Sequence, residues 1–327
     1  SLCRKRKIAF RRCRVKETSQ RKRTIENGER NIKKSSGILC ETPGRRVKFA
    51  KTELLKYKTS EVCRLLGVSR SEYYRISKED NEEKELEREV INCFKKNKGN
   101  YGRIRIRKAL LAEGKDISEY RISKILKKNG LEAKSGRTGK SRPPKPTEQQ
   151  YIEENLIKNK FEVNEPNYLW CSDITELKCC RGKVYVCGII DVATRRIVGW
   201  SIAKNQTQRL VQDAFKMAIG RNPIRPDGAV YHSDRGCQYT ARKTKELIER
   251  NGFRKSMSRP GTPSDNQPIE SFWKTLECEM ADISHLTFKE ASRTIVEYIE
   301  LYYNSERLHS GIGYYVPNEF FTLLSVH

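Results

Sequence analysis

Three acidic residues, each in a local context of its own, constrain this chain more than any other feature. Asp173 lies in Trp170-Cys171-Ser172-Asp173-Ile174-Thr175-Glu176-Leu177, where alternation and β-compatible residues predict a strand. Asp234 follows the apolar run Ala229-Val230-Tyr231 and precedes Arg235-Gly236, a strand entering a turn that Gly236 makes sterically easy. Glu270 belongs to a helix. Pro268 has no N–H and is tolerated only in a first helical turn, so the helix starts near Asp265 or Asn266. Glu270 then sits about one turn from the positive end, which favours the ionised carboxylate, while Phe272, Trp273 and Leu276 form the buried side. A strand, a strand end and a helix that each present one carboxylate converge only in a compact α/β fold.

Oxygen-only ligands suit hard cations such as Mg²⁺. Two such ions about 3.5–4 Å apart clamp both the attacking and the leaving oxygen of a phosphodiester displacement. Asp173, Asp234 and Glu270 are therefore the candidate catalytic residues and metal ligands, for two Mg²⁺ with Mn²⁺ as a substitute. Rival acids have simpler roles. Asp191 precedes a turn and is read as bonding the local backbone. Asp265 is read as the helix cap, and Glu277 and Glu279 lie farther along the helix. His232 is read as a neutral, packed neighbour of Asp234, with proton shuttling as the alternative. Lys274 falls one turn after Glu270 and shares its face, a candidate contact to a DNA phosphate.

Punctuation around these residues predicts further elements. A turn at Arg181-Gly182 leads to a strand from Lys183 to Asp191, and a turn at 193–196 leads to a third strand from Ile197 to Ile202. Helices over 207–219 and 241–251 flank the Asp234 strand, and a fifth strand covers Phe253 to Ser258. The resulting β-β-β-α-β-α-β-α order is ribonuclease-H-like.

Charge separates the chain into unequal parts. Of a net +26, residues 1–50 carry +13, residues 51–150 carry +11 and the remainder +2. The basic excess thus lies outside the proposed catalytic part, as expected if N-terminal elements hold a polyanion by phosphate contacts. Residues 1–50 lack hydrophobic periodicity and predict a disordered basic arm, either a DNA grip or sequence joined from an upstream reading frame.

Residues 51–80 contain a first helix-turn-helix, with helices either side of Gly67 and Ser69 as cap of the second. In that motif the second helix enters the major groove, putting Arg70 and Ser71 near bases and Arg75 nearer phosphate. Residues 81–133 hold an amphipathic spacer helix, Glu82 to Asn92, and a second helix-turn-helix around Gly114, in which Arg121, Lys124 and Lys128 form a basic face and Ser118 a cap. Residues 134–160, with Pro143-Pro144 and Pro146, read as a linker to the core, 161–327.

Eleven cysteines without a CxxC pair are read as reduced cytoplasmic thiols, and four histidines show no zinc-finger spacing. No apolar run reaches the roughly 18 residues that suggest a membrane span, and no signal peptide is predicted.

Asp234 and Glu270 are separated by thirty-five residues. With Asp173 upstream this resembles the DD(35)E signature of retroviral-type integrases and transposases. The blocks around Asp173, His232 to Tyr239, Gly261 to Phe272 and Tyr302 to Tyr314 are similar to those of the bacterial insertion-sequence family numbered three, over roughly Thr59 to Phe321. Gln267 and Ile312 depart from the pattern and bear on local packing. The resemblance implies an α/β fold: a ribonuclease-H-like catalytic core, with a mixed five-stranded sheet and helices, preceded by small all-α helix-turn-helix domains. It implies a transposase that binds terminal inverted repeats of double-stranded DNA, cuts one strand with water and directs the 3′-OH at another phosphodiester, acting as a homo-oligomer near the bacterial nucleoid. The alternatives are a nuclease without joining activity and a catalytically dead DNA-binding regulator.

Overall fold

The computed structural model describes residues 41–54, 57–134, 153–157, 161, 163–222, 226–259 and 262–325. The predicted arm up to residue 40 and most of the predicted linker lie outside them. The chain divides into two compact units between Cys93 and Phe94.

The first unit is helical. Helix α1, Pro43–Glu53, occupies the end of what reads as the basic arm. Pro43 suits a first turn, and Val47, Ala50 and Leu54 recur at helical spacing to meet Val62, Leu66 and Ile76 in one apolar cluster. Helix α2, Thr59–Leu66, ends at Gly67, whose φ of 62° and N–H to the carbonyls of Cys63 and Arg64 close it. Helix α3 then runs from Arg70 to Lys96. The sequence suggests a short recognition helix and a separate spacer over Glu82–Asn92; the structure joins them. No Gly or Pro interrupts 70–96, and the i,i+4 pairs Arg75–Glu79, Lys78–Glu82 and Asp80–Lys84 bridge the expected gap. Ser69 Oγ accepts the Glu72 N–H at 3.1 Å, as a cap should.

In the second unit, α4 (Arg103–Ala112) and α5 (Glu119–Lys128) bury Ile106, Leu110, Ile122, Ile125 and Leu126. Ser118 caps α5 by accepting the Arg121 N–H. This pair does not stand apart from the sheet. Tyr101 donates its hydroxyl to the Glu306 carbonyl and accepts the Leu308 N–H, and Asn100 donates to the Tyr302 hydroxyl. Polar side chains just ahead of α4 reach the C-terminal tail, a pairing that local periodicity does not encode.

The sheet follows: β1 (Leu169–Cys179), β2 (Gly182–Asp191), β3 (Ile197–Ala203), helix α6 (Gln208–Arg221), β4 (Val230–Ser233), helices α7 (Cys237–Thr240) and α8 (Arg242–Arg250), and β5 (Arg254–Met257). The spatial order is β3-β2-β1-β4-β5. The first three strands are antiparallel, and β4 and β5 join in parallel. This is the predicted mixed five-stranded, ribonuclease-H-like arrangement.

Because side chains alternate across a strand, the sheet has two cores. Trp170, Ile189 and Val198 pack with Phe215 and Ala214 of α6 and Ile248 of α8. Cys171, Val186 and Ile190 pack on the other side with Ile269, Phe272 and Leu276 of α9 (Gln267–Glu279) and Ile295 of α10 (Phe288–Glu297). A π-helical turn, Tyr298–Tyr303, and α11 (Pro317–Ser325) complete the chain. Asn304 ties the tail to β3, accepting the Ile197 N–H and donating to its carbonyl.

Candidate active site

Asp173 and Asp234 are delivered by strand register. In the parallel β1–β4 pairing Ser172 lies opposite Ser233, so the two aspartates are the next residues on strands about 4.8 Å apart. Gly236 donates its N–H to Asp234 Oδ1 at 3.0 Å, holding the side chain over the turn.

Glu270 arrives on α9, and two contacts set that helix against β1 and β2. Asn266 Nδ2 donates to the Ser172 carbonyl at 2.9 Å, one residue before Asp173. Gly188 is the β2 partner of Asp173, and a Cβ there would meet the Trp273 ring at 2.8 and 2.9 Å. Only glycine lets the indole lie on the sheet beside Asp173. Asp265 does not cap the helix as the sequence suggests. Its carboxylate accepts from the Arg259 backbone N–H and guanidinium and from Asn155, so it anchors the preceding loop.

The three carboxylates are brought into electrostatic reach of one another. Asp173 and Glu270 are half-buried and Asp234 is exposed. Burial raises the Asp173 carboxyl to about 7, and the charges of Asp234 and Glu270 push in the same direction. The Trp273 indole N–H opposes that rise without making a hydrogen bond of good geometry. Loss of hydration raises Asp234, against the pull of the Gly236 N–H, and raises Glu270, with Lys274 pulling it back. Among the described residues no three His, Cys, Asp or Glu side chains enclose a single ion. Asp173 is within electrostatic range of both other carboxylates, but the three are not gathered into a closed site.

Neighbouring groups have structural partners. Asp191 is fully buried and accepts from the Asn167 N–H and from the Thr194 N–H and hydroxyl, the turn role its position suggests. His232 is fully buried between Ser256 Oγ at 2.9 Å and Ser258 Oγ at 3.0 Å, and burial lowers it to about 4. These contacts fit the packed, neutral neighbour of Asp234 that the sequence suggests. Behind Asp173 the hydroxyls of Ser172 and Tyr239 bond at 3.0 Å beside Cys187. That support was illegible in sequence, since its members are far apart along the chain.

Arg70, Ser71 and Arg75 are exposed at the start of α3, and Arg75 pairs with Glu79 at 2.8 Å. Arg121, Lys124 and Lys128 are exposed along α5. Lys274 is exposed on α9, close enough to lower the Glu270 carboxyl. No disulfide joins the described cysteines, and no described helix is long and apolar enough to cross a membrane.

Sheet order and helix placement define an integrase-type core, here with a helical module ahead of it. The integrase core domain family matches residues 163–263 and, in a second form, 251–317; a helix-turn-helix-like domain family matches 80–138. The transposase for insertion sequence element IS904 of Lactococcus lactis is 37% identical over 257 residues, covering 75% of this chain and 97% of the relative. The InsF transposase of insertion sequence IS3A from Escherichia coli is 32% identical over 284 residues, covering 83% and 96%. Among solved structures, the catalytic core domain of BIV integrase aligns with a TM-score of 0.36 and 18% identity, over 49% of this chain and 97% of that one. The chain belongs to the IS3 family of bacterial insertion-sequence transposases, DNA-binding enzymes of the DDE polynucleotidyl-transferase class.

Proposed function

We propose that this transposase cuts and joins DNA at Asp173, Asp234 and Glu270, with two Mg²⁺ as working ions and Mn²⁺ as a substitute. The observation that carries the reading is geometric: the β1–β4 register makes Asp173 and Asp234 the next residues on adjacent strands, and Asn266 and Trp273 seat the Glu270 helix against the same part of the sheet. Oxygen-only donors with surplus negative charge fit hard divalent cations. When bound, such ions activate the attacking oxygen and stabilise the leaving one.

The chain supplies position and access. Asp173 is held by its strand, with the α9 indole packed over Gly188 beside it, and Asp234 by the Gly236 N–H; Glu270 follows the helix that Asn266 ties to β1. Lys274, exposed one turn after Glu270, meets a DNA phosphate in this reading. Water attacks phosphorus and the P–O3′ bond breaks; the released 3′-OH then attacks a second phosphodiester, forming a new P–O bond as that phosphodiester's own P–O3′ bond breaks and its 3′ oxygen leaves with a proton. No side chain forms a covalent intermediate. Arg70, Ser71 and Arg75 of α3, with Arg121, Lys124 and Lys128 of α5, engage the terminal inverted repeats. Two ends per reaction call for at least two copies of the chain, working in the cytoplasm at the nucleoid.

The test is Asp234→Asn and Glu270→Gln in purified protein on DNA carrying element ends. Both variants should lose cleavage and joining while gel-shift binding to ends persists. Wild-type joining by either ends the reading. Cleavage without joining by the unaltered chain points to a nuclease, and end binding with no metal-dependent chemistry points to a regulator.

A further inference from the structure

Glu279 closes α9, nine residues beyond Glu270, and is only 7% exposed although charged. Its carboxylate receives the Arg307 guanidinium twice, Nε to Oε2 and Nη2 to Oε1, both at 2.7 Å. The Tyr298 hydroxyl donates to Oε2 at 3.1 Å, and Arg105 of α4 lies 3.7 Å from Oε1. Lys134, just past α5, donates its ammonium to the Glu279 backbone carbonyl at 3.1 Å. One residue therefore joins the Glu270 helix, the C-terminal tail and the helical pair.

A helix advances about 1.5 Å and turns about 100° per residue, so Glu270 and Glu279 lie about 13 Å apart along α9, on opposite sides of it. A bidentate guanidinium–carboxylate pair fixes direction as well as distance. With Asn266 bonded to β1 at the other end, α9 cannot roll or slide without breaking a buried polar contact. Stability is a weak reason for such a pair, because packed apolar side chains commonly do as well. Orientation is a stronger one.

We propose that Glu279 is a positioning residue for Glu270, and that Arg105 links this position to the state of the helical pair. Through Arg105 the module that contacts DNA biases the angle at which the catalytic helix presents its carboxylate. The inference rests on the reading of Asp173, Asp234 and Glu270 as the reacting site.

Arg105→Ala removes the module's contact to the Glu279 carboxylate and leaves both the Arg307 pair and the Lys134 bond to the Glu279 backbone intact. It should keep its melting temperature and its gel-shift affinity for element ends, yet lose about tenfold in joining turnover, as small misplacements of catalytic groups do. Its half-saturating Mg²⁺ concentration should rise, and Mn²⁺ bound without DNA, read by electron paramagnetic resonance, should weaken with it. Glu279→Gln should lose more than Glu279→Asp in the same measurements; if Glu279→Gln does not fold, Arg105→Ala decides alone. Wild-type turnover and Mn²⁺ affinity in folded Arg105→Ala would overturn the proposal. Asp234→Asn run alongside separates the cases, since joining by that variant sinks the site reading instead.

Discussion

Asp173 and Asp191 show how the same residue type is given different work. Both are pushed up by burial, Asp173 to about 7 and Asp191 to about 6. Donors from Asn167, Ala193 and Thr194 stabilise the charged form of Asp191, whereas Asp173 feels two further carboxylates. Removing Asp191 would strand buried donors, so Asp191→Ala should cost about 2–3 kcal/mol in urea unfolding and leave cation affinity nearly unchanged. Asp173 is raised in the same sense, and further. Its folded value lies above the ordinary carboxylate value of 3.8, so ionising it costs the cation-free fold stability as pH rises from there to about 7. A cation competes with that proton. Cation affinity should therefore fall as pH drops through about 7, and calorimetry below it, in buffers of different ionisation heat, should register proton release.

At the scale of elements, α9 is the part whose placement matters most, and Gly188 is its seat. Gly188→Ala would drive a methyl into the Trp273 ring, tilting the helix by its middle. Joining should drop steeply in protein that retains its sheet, and circular dichroism alongside turnover checks both. On α5 the exposed Arg121 and Lys124 are a different kind of feature, read through solvent. If each meets a phosphate, the double alanine variant should reduce the slope of log affinity against log salt by about 2 in fluorescence-anisotropy titrations. Strand identities and their order were legible from alternation and turn residues. The continuity of α3 was not, because the sequence marks where helices start more clearly than where two predicted segments fuse. The tail block from Tyr302 to Tyr314 was visible as a motif without a role. Arg307 acquires one only through Glu279, twenty-eight residues earlier in the chain.

For the whole molecule, charge and chemistry are segregated. Residues 1–150 carry almost all of the net +26 and the remainder is near neutral, so binding and cutting should separate experimentally. Chelation with EDTA should stop cleavage and joining while end binding survives, with added Mg²⁺ restoring both. The near-neutral core suits a site that gathers negative groups, since the DNA grip is supplied elsewhere.

What the amino-acid order determined by itself was local and periodic: which stretches are strands or helices, where glycine and proline stop them, and the spacing that singles out Asp173, Asp234 and Glu270. Such signals act between near neighbours, so they survive without a fold. Only the tertiary structure decided that Asp265 braces a loop instead of capping α9, that His232 is sealed between two serines, and that the second helical pair is bonded to the tail. Those outcomes depend on which polar groups meet after distant segments pack and water leaves, and no single stretch carries that information.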